Sequence, residues 1–169
     1  MNFLKYFTNE KEEEVKKYSL LHDKIQRSFP DLSEKEVLTL ACISGLFARV
    51  AYVDFKLDAA EIKKMQTLFE KTSLNPSVSP KIIVEMAIEH IKEMAGIENH
   101  LYVHPLNEVL NADQKFQVLQ CLFLIAASDG VVEEVESEEI KLISKGMELS
   151  NQHFLAARAE VAEFLKSLM

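Results

Sequence analysis

Residues 122–136 read LFLIAASDGVVEEVE, and the same pattern occurs 75 positions earlier, where residues 47–61 read FARVAYVDFKLDAAE. Each copy starts as an apolar run, reaches an Asp, turns, and continues as a second run with a Glu seven residues after the Asp. Asp54 and Asp129 occupy the same place in the two copies. This duplication predicts two equivalent helix–turn–helix units related by an approximate internal two-fold axis.

The composition supports an all-helical chain. Among 169 residues there are only four Gly and four Pro, and 48% of the residues are hydrophobic. Few helix breakers favour long helices, and this apolar fraction is enough to build a core. We predict an all-α, single-domain bundle of about seven helices. Residues 1–9 form a leader and residues 10–169 the helical domain, with repeat halves at about 37–96 and 111–169.

Apolar periodicity and capping motifs give the predicted helices. The motifs include Asp58 with Glu61, and Ser79 as a cap before Pro80, while Val135 is expected to face the core. The helices that begin near residues 33 and 111 are apolar on nearly every side, so we expect them at the centre of the bundle. The link between the halves is the least regular segment, and a short turn of helix within it stays open. The predicted helices cover about 10–29, 33–53, 58–71, 79–95, 111–127, 133–148 and 150–169, with the link at 97–110.

Charge and cysteine content limit the kinds of partner. The net charge of −8 makes nucleic acid an unfavourable partner and discourages adhesion to anionic lipid. No apolar run is long enough to span a bilayer, and no secretory signal pattern is visible, so we expect a soluble, cytoplasmic protein. Cys42 and Cys121 lie in apolar runs and are expected to be buried, reduced thiols. The apolar-aromatic leader is expected to be a loosely packed terminus, although docking on the core or on a partner stays open.

The two acidic turns are the candidate binding site. A tight turn can bring the Asp and the Glu of each copy together, and clustered oxygens are what Ca²⁺ and Mg²⁺ require. The carboxylates can instead bind the free N–H groups of their own turns and helix ends, and spacing alone favours this second interpretation. The candidate residues are Asp54, Glu61, Asp129 and Glu136.

An EF-hand is excluded as the form of this site. A loop starting at Asp54 would need oxygen ligands at its third and twelfth positions, which hold Lys56 and Met65. A loop starting at Asp129 fails in the same way, because it has Val131 and Ile140 there. Neither loop has Gly at its sixth position.

The doubled pattern resembles the TerB-like family, whose members include tellurite-resistance TerB and the N-terminal domain of certain membrane-anchored DnaJ-like co-chaperones. The resemblance covers about residues 37–169. The second copy fits well through Asp129, Gly130 and Glu136, whereas the first copy departs because Phe55 stands where Gly is usual. That departure affects the backbone of the first turn and the symmetry of any ion site.

The resemblance implies an all-helical fold, no enzymatic activity and a role in bacterial stress-response complexes. It also implies divalent-cation binding at the acidic turns. Carried over residue by residue, the ligands would be Asp54, Glu61, Asp129 and Glu136.

Other possible sites are weaker. His100 and His104 have a spacing that on a helix can bind a transition metal, but Gly96 and Pro105 flank them and predict an irregular segment. His90 is expected to be a half-buried core residue. The dense carboxylates of residues 133–139 are explained by solvation, with a basic partner as the alternative.

Three functions remain open at this point. The first is a non-enzymatic interaction module that binds a protein partner, with an inner-membrane-face location and homodimerisation both left open. The second is a hydrolase that uses a carboxylate-bound metal. The third is a purely structural helical domain without an ion.

Overall fold

The computed structural model describes residues 20–72, 75–94 and 100–166. In these ranges the chain is an all-α bundle, as predicted, with eight α-helices rather than seven. The leader and the first ten residues of the first predicted helix lie outside the described residues. The helices are α1 (residues 20–28), α2 (Glu34–Ala51), α3 (Ala59–Thr72), α4 (Pro80–Glu93), α5 (His100–Val109), α6 (Ala112–Ala126), α7 (Glu134–Gly146) and α8 (Asn151–Ala159), with 3₁₀ turns at Ala127–Asp129 and Ala162–Phe164.

Helices α2 and α6 form the centre of the bundle, and both start as the sequence predicts. Ser33 and Glu36 form a capping box at α2, and Asn111 and Gln114 form one at α6. Each box satisfies backbone N–H groups that would otherwise have no partner. Helix α2 packs against α4, α5 and α6, while α6 packs against α3, α7 and α8. Their nearly continuous apolar surfaces are explained by these neighbours on several sides.

Within the link between the halves, residues His100–Val109 form a regular helix, which is longer than the short turn of helix that the sequence left open, so the expected irregularity was wrong for these residues. Helix α5 contains Pro105, which cannot donate a backbone hydrogen bond. Tyr102, Val103 and Leu106 are nevertheless buried, and the helix packs against α2 and α7. Burial of this apolar face outweighs the missing hydrogen bond, which local sequence patterns do not reveal.

The predicted C-terminal helix is shorter than expected, because α8 ends at Ala159. Beyond it the chain turns back and forms an isolated bridge between Leu165 and Val132. The Val132 N–H donates to the Phe164 carbonyl at 2.6 Å, and the Lys166 N–H donates to the Val132 carbonyl at 3.2 Å. The C-terminal segment therefore braces the loop between Asp129 and α7.

Two further details differ from the predictions. Val135 has the spacing of a buried residue of α7, but 45% of it is exposed, whereas Ile140, Ile143 and Met147 are fully buried. Pro80 occupies the start of α4 as predicted, but the Ser79 side chain makes no capping hydrogen bond. Both differences arise at helix starts. There a small rotation of the first turn changes whether a side chain is buried, and a single rotamer decides whether a capping hydrogen bond forms.

The described helices include none that is both long enough and apolar enough to cross a bilayer. Cys42 is buried as predicted, whereas Cys121 is only half-buried, and neither cysteine forms a disulfide.

Candidate functional site

The two acidic turns have the same local geometry. The Asp54 Oδ1 atom accepts a hydrogen bond from the Lys56 N–H at 2.9 Å, and the Asp129 Oδ1 atom accepts one from the Val131 N–H at 2.9 Å. Each Asp therefore holds the backbone two residues ahead, which is the arrangement of an Asx turn. Both aspartates are exposed.

The residue after each Asp is left-handed. Gly130 has a φ of 102°, and Phe55 at the equivalent position has a φ of 63°. A left-handed conformation is easy for Gly and costly for a residue with a Cβ atom. The first turn thus keeps the left-handed backbone conformation of the second turn, although it lacks the usual glycine. The Phe55 ring is 67% exposed and lies edge-on to Tyr52, with the ring centroids 5.8 Å apart.

The two glutamates also match. The Glu61 Oε2 atom accepts a hydrogen bond from the Asp58 N–H at 2.9 Å, and the Glu136 Oε2 atom accepts one from the Glu133 N–H at 2.8 Å. These are the helix-end contacts expected of a capping box. Both side chains are nevertheless buried, with Glu61 6% exposed and Glu136 8% exposed. A cap usually lies in solvent, so helix capping alone does not explain this burial.

The four candidate carboxylates are brought together at one place. Helix α3, which carries Glu61, packs against α6 and against the 3₁₀ turn that contains Asp129. Burial, together with the smaller effects of the charges of Asp129, Asp58 and Asp54, raises the pKa of Glu61 to about 7 against the opposing hydrogen bond from the Asp58 N–H. The two acidic turns therefore face each other across the junction between the halves.

Glu136 of α7 lies in a similar environment, on the other side of the junction between the halves. Burial, together with the smaller effects of the charges of Glu61, Asp129 and Asp54, raises the pKa of Glu136 to about 8 against the opposing backbone hydrogen bond from Glu133. Among the described residues, neither Glu61 nor Glu136 forms an ion pair with a Lys, Arg or His side chain. Two buried carboxyl groups without a cationic partner carry an electrostatic cost that protonation or a bound cation would relieve.

The donor chemistry fits a hard divalent cation, because every candidate ligand is a carboxylate oxygen. A carboxylate that accepts an N–H through one oxygen still has a second oxygen to offer. However, no three His, Cys, Asp or Glu side chains in the described ranges have an arrangement that would hold a metal ion as they stand. Ion binding would therefore require side-chain rotation, which the exposed Asp54 and Asp129 can supply.

The sequence does not single out Asp58 as part of this cluster. Its charge raises the pKa of Glu61, and its Oδ1 atom accepts the Ala60 N–H at 2.7 Å. Asp58 and Glu61 form a capping motif in the sequence, but the second copy has Glu133 at the position of Asp58 rather than an Asp. The alignment of the copies therefore gives no reason to include Asp58 among the candidate ligands.

The weaker candidates have different outcomes. His100 and His104 both belong to helix α5, so the prediction of an irregular segment around them was wrong. The described side chains, which include His104, contain no group that would hold a metal ion. His90 is 1% exposed, more buried than expected, and neither ring nitrogen has a hydrogen-bond partner. Burial lowers the pKa of His90.

The acidic face of α7 is less open than its sequence indicates. Glu139 is buried and pairs with Arg49 of α2, with Arg49 Nε 3.0 Å from Glu139 Oε1. Glu133 pairs with Lys166 at 2.7 Å. With Glu136 buried as well, Glu134 and Glu138 are the exposed carboxylates of this run. The run therefore contributes more to internal contacts than to a surface for a basic partner.

Comparison with known proteins identifies the family. The family model described as tellurite resistance protein TerB matches residues 39–159, which include both acidic turns. No curated protein matches the chain. No solved structure matches it either. The family match extends over more than half of the sequence, and the chain therefore belongs to the TerB family.

Proposed function

We propose that this TerB-family domain is a non-enzymatic, cytoplasmic interaction module that binds a divalent cation, Ca²⁺ or Mg²⁺, where its two acidic turns meet. The ligands are Asp54, Glu61, Asp129 and Glu136. The module acts through a protein partner in a stress-response complex of the tellurite-resistance kind. Family membership supports the interaction role, and the acidic turns support the cation.

One observation carries the cation proposal. Glu61 and Glu136 come from different halves of the chain, both are buried, and the charge of Glu61 helps to raise the pKa of Glu136. A divalent cation between them would remove this repulsion and replace it with attraction. Because one glutamate begins α3 and the other begins α7, the cation would also tie the two halves together.

Cation binding gives the module a way to respond to its surroundings. The exposed Asp54 and Asp129 would turn towards the ion, and their present hydrogen bonds to Lys56 and Val131 would weaken. Both turns therefore change shape together when the ion binds. A partner that contacts these exposed turns, either in solution or at the inner membrane face, would recognise the ion-bound form.

A titration followed by backbone amide NMR tests the proposal. Ca²⁺, Mg²⁺ and Mn²⁺ are added in turn to the full chain, and the amide shifts of all residues are followed. We expect shifts or paramagnetic broadening confined to residues around both turns. Asp129→Asn should abolish the response at both turns, because the site needs ligands from both halves.

Asp113→Asn is the matched control. Asp113 is an exposed carboxylate at the opposite end of α6 from the acidic turns, roughly 20 Å away along a helix of this length, so its loss should leave the response unchanged. No response up to millimolar ion would contradict the cation proposal and leave carboxylates that only cap helices. A phosphatase or nuclease activity lost in Asp129→Asn would contradict the non-enzymatic role.

A further inference from the structure

An apolar groove of about 460 Å³ lies between α2, α3 and α6, away from the acidic turns. Its walls include Ile43 of α2, Leu68 of α3, and Cys121 and Leu124 of α6, all of them half-exposed. Lining atoms exposed in the groove are mainly apolar, with a few glutamines at the edge. Exposed apolar surface of this kind on a domain commonly marks a place where another segment binds.

The groove lies at the junction of the two halves. Ile43 and Val118 both line it, and they occupy the same position in the two copies, 75 residues apart. Thr39 and Gln114 form a second such pair. The groove therefore follows the predicted internal two-fold axis, and a segment seated there would contact both halves at once.

We propose that residues 1–9 of this same chain bind in the groove. Five of the first seven residues are apolar or aromatic, namely Met1, Phe3, Leu4, Tyr6 and Phe7. Leaving these side chains in water is unfavourable by roughly 25 cal/mol for each Å² of apolar surface, and the groove offers an apolar surface for them. Seven of the following ten residues, 10–19, are charged, which suits a connection that stays in solvent.

The connecting residues 10–19 are long enough for residues 1–9 to reach the groove. His22 of α1 lies beside the first residue of α2, with His22 Nε2 2.9 Å from Glu34 Oε1. Thr39, at the edge of the groove, is five residues further along α2, or about 7.5 Å. Ten connecting residues span about 15 Å as a helix and up to about 33 Å when extended. A covalently attached segment also acts at an effective concentration of the order of millimolar, which favours it over a free partner.

The native thiol of Cys121 reports on the groove. In the full chain, Phe3→Ser, Leu4→Ser and Phe7→Ser are introduced together, and the rate of reaction of Cys121 with a maleimide is compared with that of the wild type. We expect the rate to rise by about tenfold or more, because the covering segment is lost. Cys42 is fully buried and serves as an unreactive internal reference.

The matched control changes polar residues of the same segment. Asn2→Ser with Lys5→Gln should leave the Cys121 rate within about twofold of the wild type, since neither side chain contributes apolar surface. Equal Cys121 rates in the wild type and the triple variant would overturn the proposal.

A second measurement identifies what covers the groove. Nuclear Overhauser effects between the Phe3 or Phe7 ring and the methyl groups of Ile43 or Leu124 are recorded in a mixture of differently labelled chains. We expect contacts within one chain, independent of protein concentration. Contacts found only between different chains would assign the groove to a second copy, and the absence of any such contact would leave residues 1–9 elsewhere; either result overturns the proposal.

Discussion

At the residue scale, Glu61 and Glu136 explain most of what is unusual about this domain. Each begins a helix and accepts a backbone N–H, as a capping glutamate should, yet each is almost completely buried. Burial and the neighbouring carboxylates favour the protonated form, so the folded chain keeps protons that the unfolded chain has released. The free energy of unfolding must therefore depend on pH.

The first prediction concerns pH 6.5 to 8.5. In this range the unfolded glutamates are ionised, while the folded ones lose their protons around pKa values of about 7 and 8. Because a raised folded pKa gives stability that is lost as pH rises through it, the free energy of unfolding should fall by on the order of 2–3 kcal/mol. Urea denaturation in a chelating buffer, repeated across this pH range, measures the fall in the free energy of unfolding.

The double variant Glu61→Gln, Glu136→Gln tests the cause. Gln keeps an oxygen for the backbone N–H but cannot ionise, so the decline in stability should disappear. Glu134→Gln, an exposed neighbour on α7, is the control and should leave the decline intact. A decline that persists in the double variant would show that other groups cause it. His90 cannot cause the decline, because burial lowers its folded pKa from an ordinary value near 6.5, and a lowered histidine pKa makes stability rise with pH.

The second prediction concerns the residue after each Asp. Gly130→Ala should lower the free energy of unfolding by about 1–2 kcal/mol, because a Cβ atom is unfavourable at a left-handed φ. The strain would arise in the backbone alone, since no atom outside Gly130 and its two chain neighbours lies within 4 Å of the added Cβ. Phe55→Gly should change stability by less than about 1 kcal/mol, because relief of strain offsets a more flexible unfolded chain.

Urea denaturation of both variants checks this pair. A Gly130→Ala variant as stable as the wild type would mean that the second turn does not need its left-handed residue. A large fall in the free energy of unfolding of Phe55→Gly would mean that the edge contact with Tyr52 stabilises the fold more than the exposed ring indicates.

At the scale of the helices, the contact between α2 and α5 is the least tolerant of change. Gly45 of α2 faces the ring of Tyr102, and a Cβ atom added at Gly45 would overlap ring atoms Cε1 and Cδ1. The Tyr102 side chain is fully buried, and its hydroxyl has no hydrogen-bond partner. Close packing therefore fixes the Tyr102 side of α5 on the bundle, while Asn107 at the other end of the helix donates a hydrogen bond to the Gly146 carbonyl at 2.8 Å.

The third prediction follows from this packing. Gly45→Ala should destabilise the fold by about 1–3 kcal/mol, since overpacking forces the helices apart. Combining it with Tyr102→Leu should cost less than the sum of the two single changes, because the smaller side chain makes room for the methyl group. Thermal or urea unfolding of the three variants measures the coupling. Strictly additive changes in the free energy of unfolding would show that Gly45 and Tyr102 are not coupled by close packing.

The same helix shows where sequence patterns stop being informative. The starts of α2 and α6 follow from capping boxes, which are local in sequence and therefore readable. Helix α5 depends on burial of Tyr102, Val103 and Leu106 against α2 and α7. The local sequence predicts a break instead, because Pro105 lacks a backbone N–H. The end of α8 depends on hydrogen bonds between residues 164–166 and Val132, more than 30 positions away in the chain.

At the scale of the whole molecule, the all-α fold and the two central helices could be predicted from composition and periodicity. The spacing of Asp and Glu identified four candidate carboxylates. The two acidic turns form matching Asx turns and matching helix-end contacts. Spacing could not reveal whether the turns meet, because that depends on how α3 packs against α6 and the second turn. It also could not reveal the burial of Glu61 and Glu136.

The structure gives the two halves one shared acidic junction rather than two separate turns. If each turn acted alone, a change in one half would leave the other half untouched. If Asp54, Glu61, Asp129 and Glu136 act as one set of ligands, each half depends on the other. The number of bound ions, and its response to a change in a single half, distinguishes these two arrangements.

The most direct test is a calorimetric titration of Ca²⁺, Mg²⁺ and Mn²⁺ into the wild type, Asp54→Asn and Asp129→Asn near pH 8, where the glutamates ionise. We predict one ion per chain, with binding weakened by about tenfold or more in each variant, because each removes a charged ligand from the same site. Asp113→Asn should bind like the wild type. Two ions per chain with one retained in each variant, or no binding up to millimolar ion, would contradict the shared site.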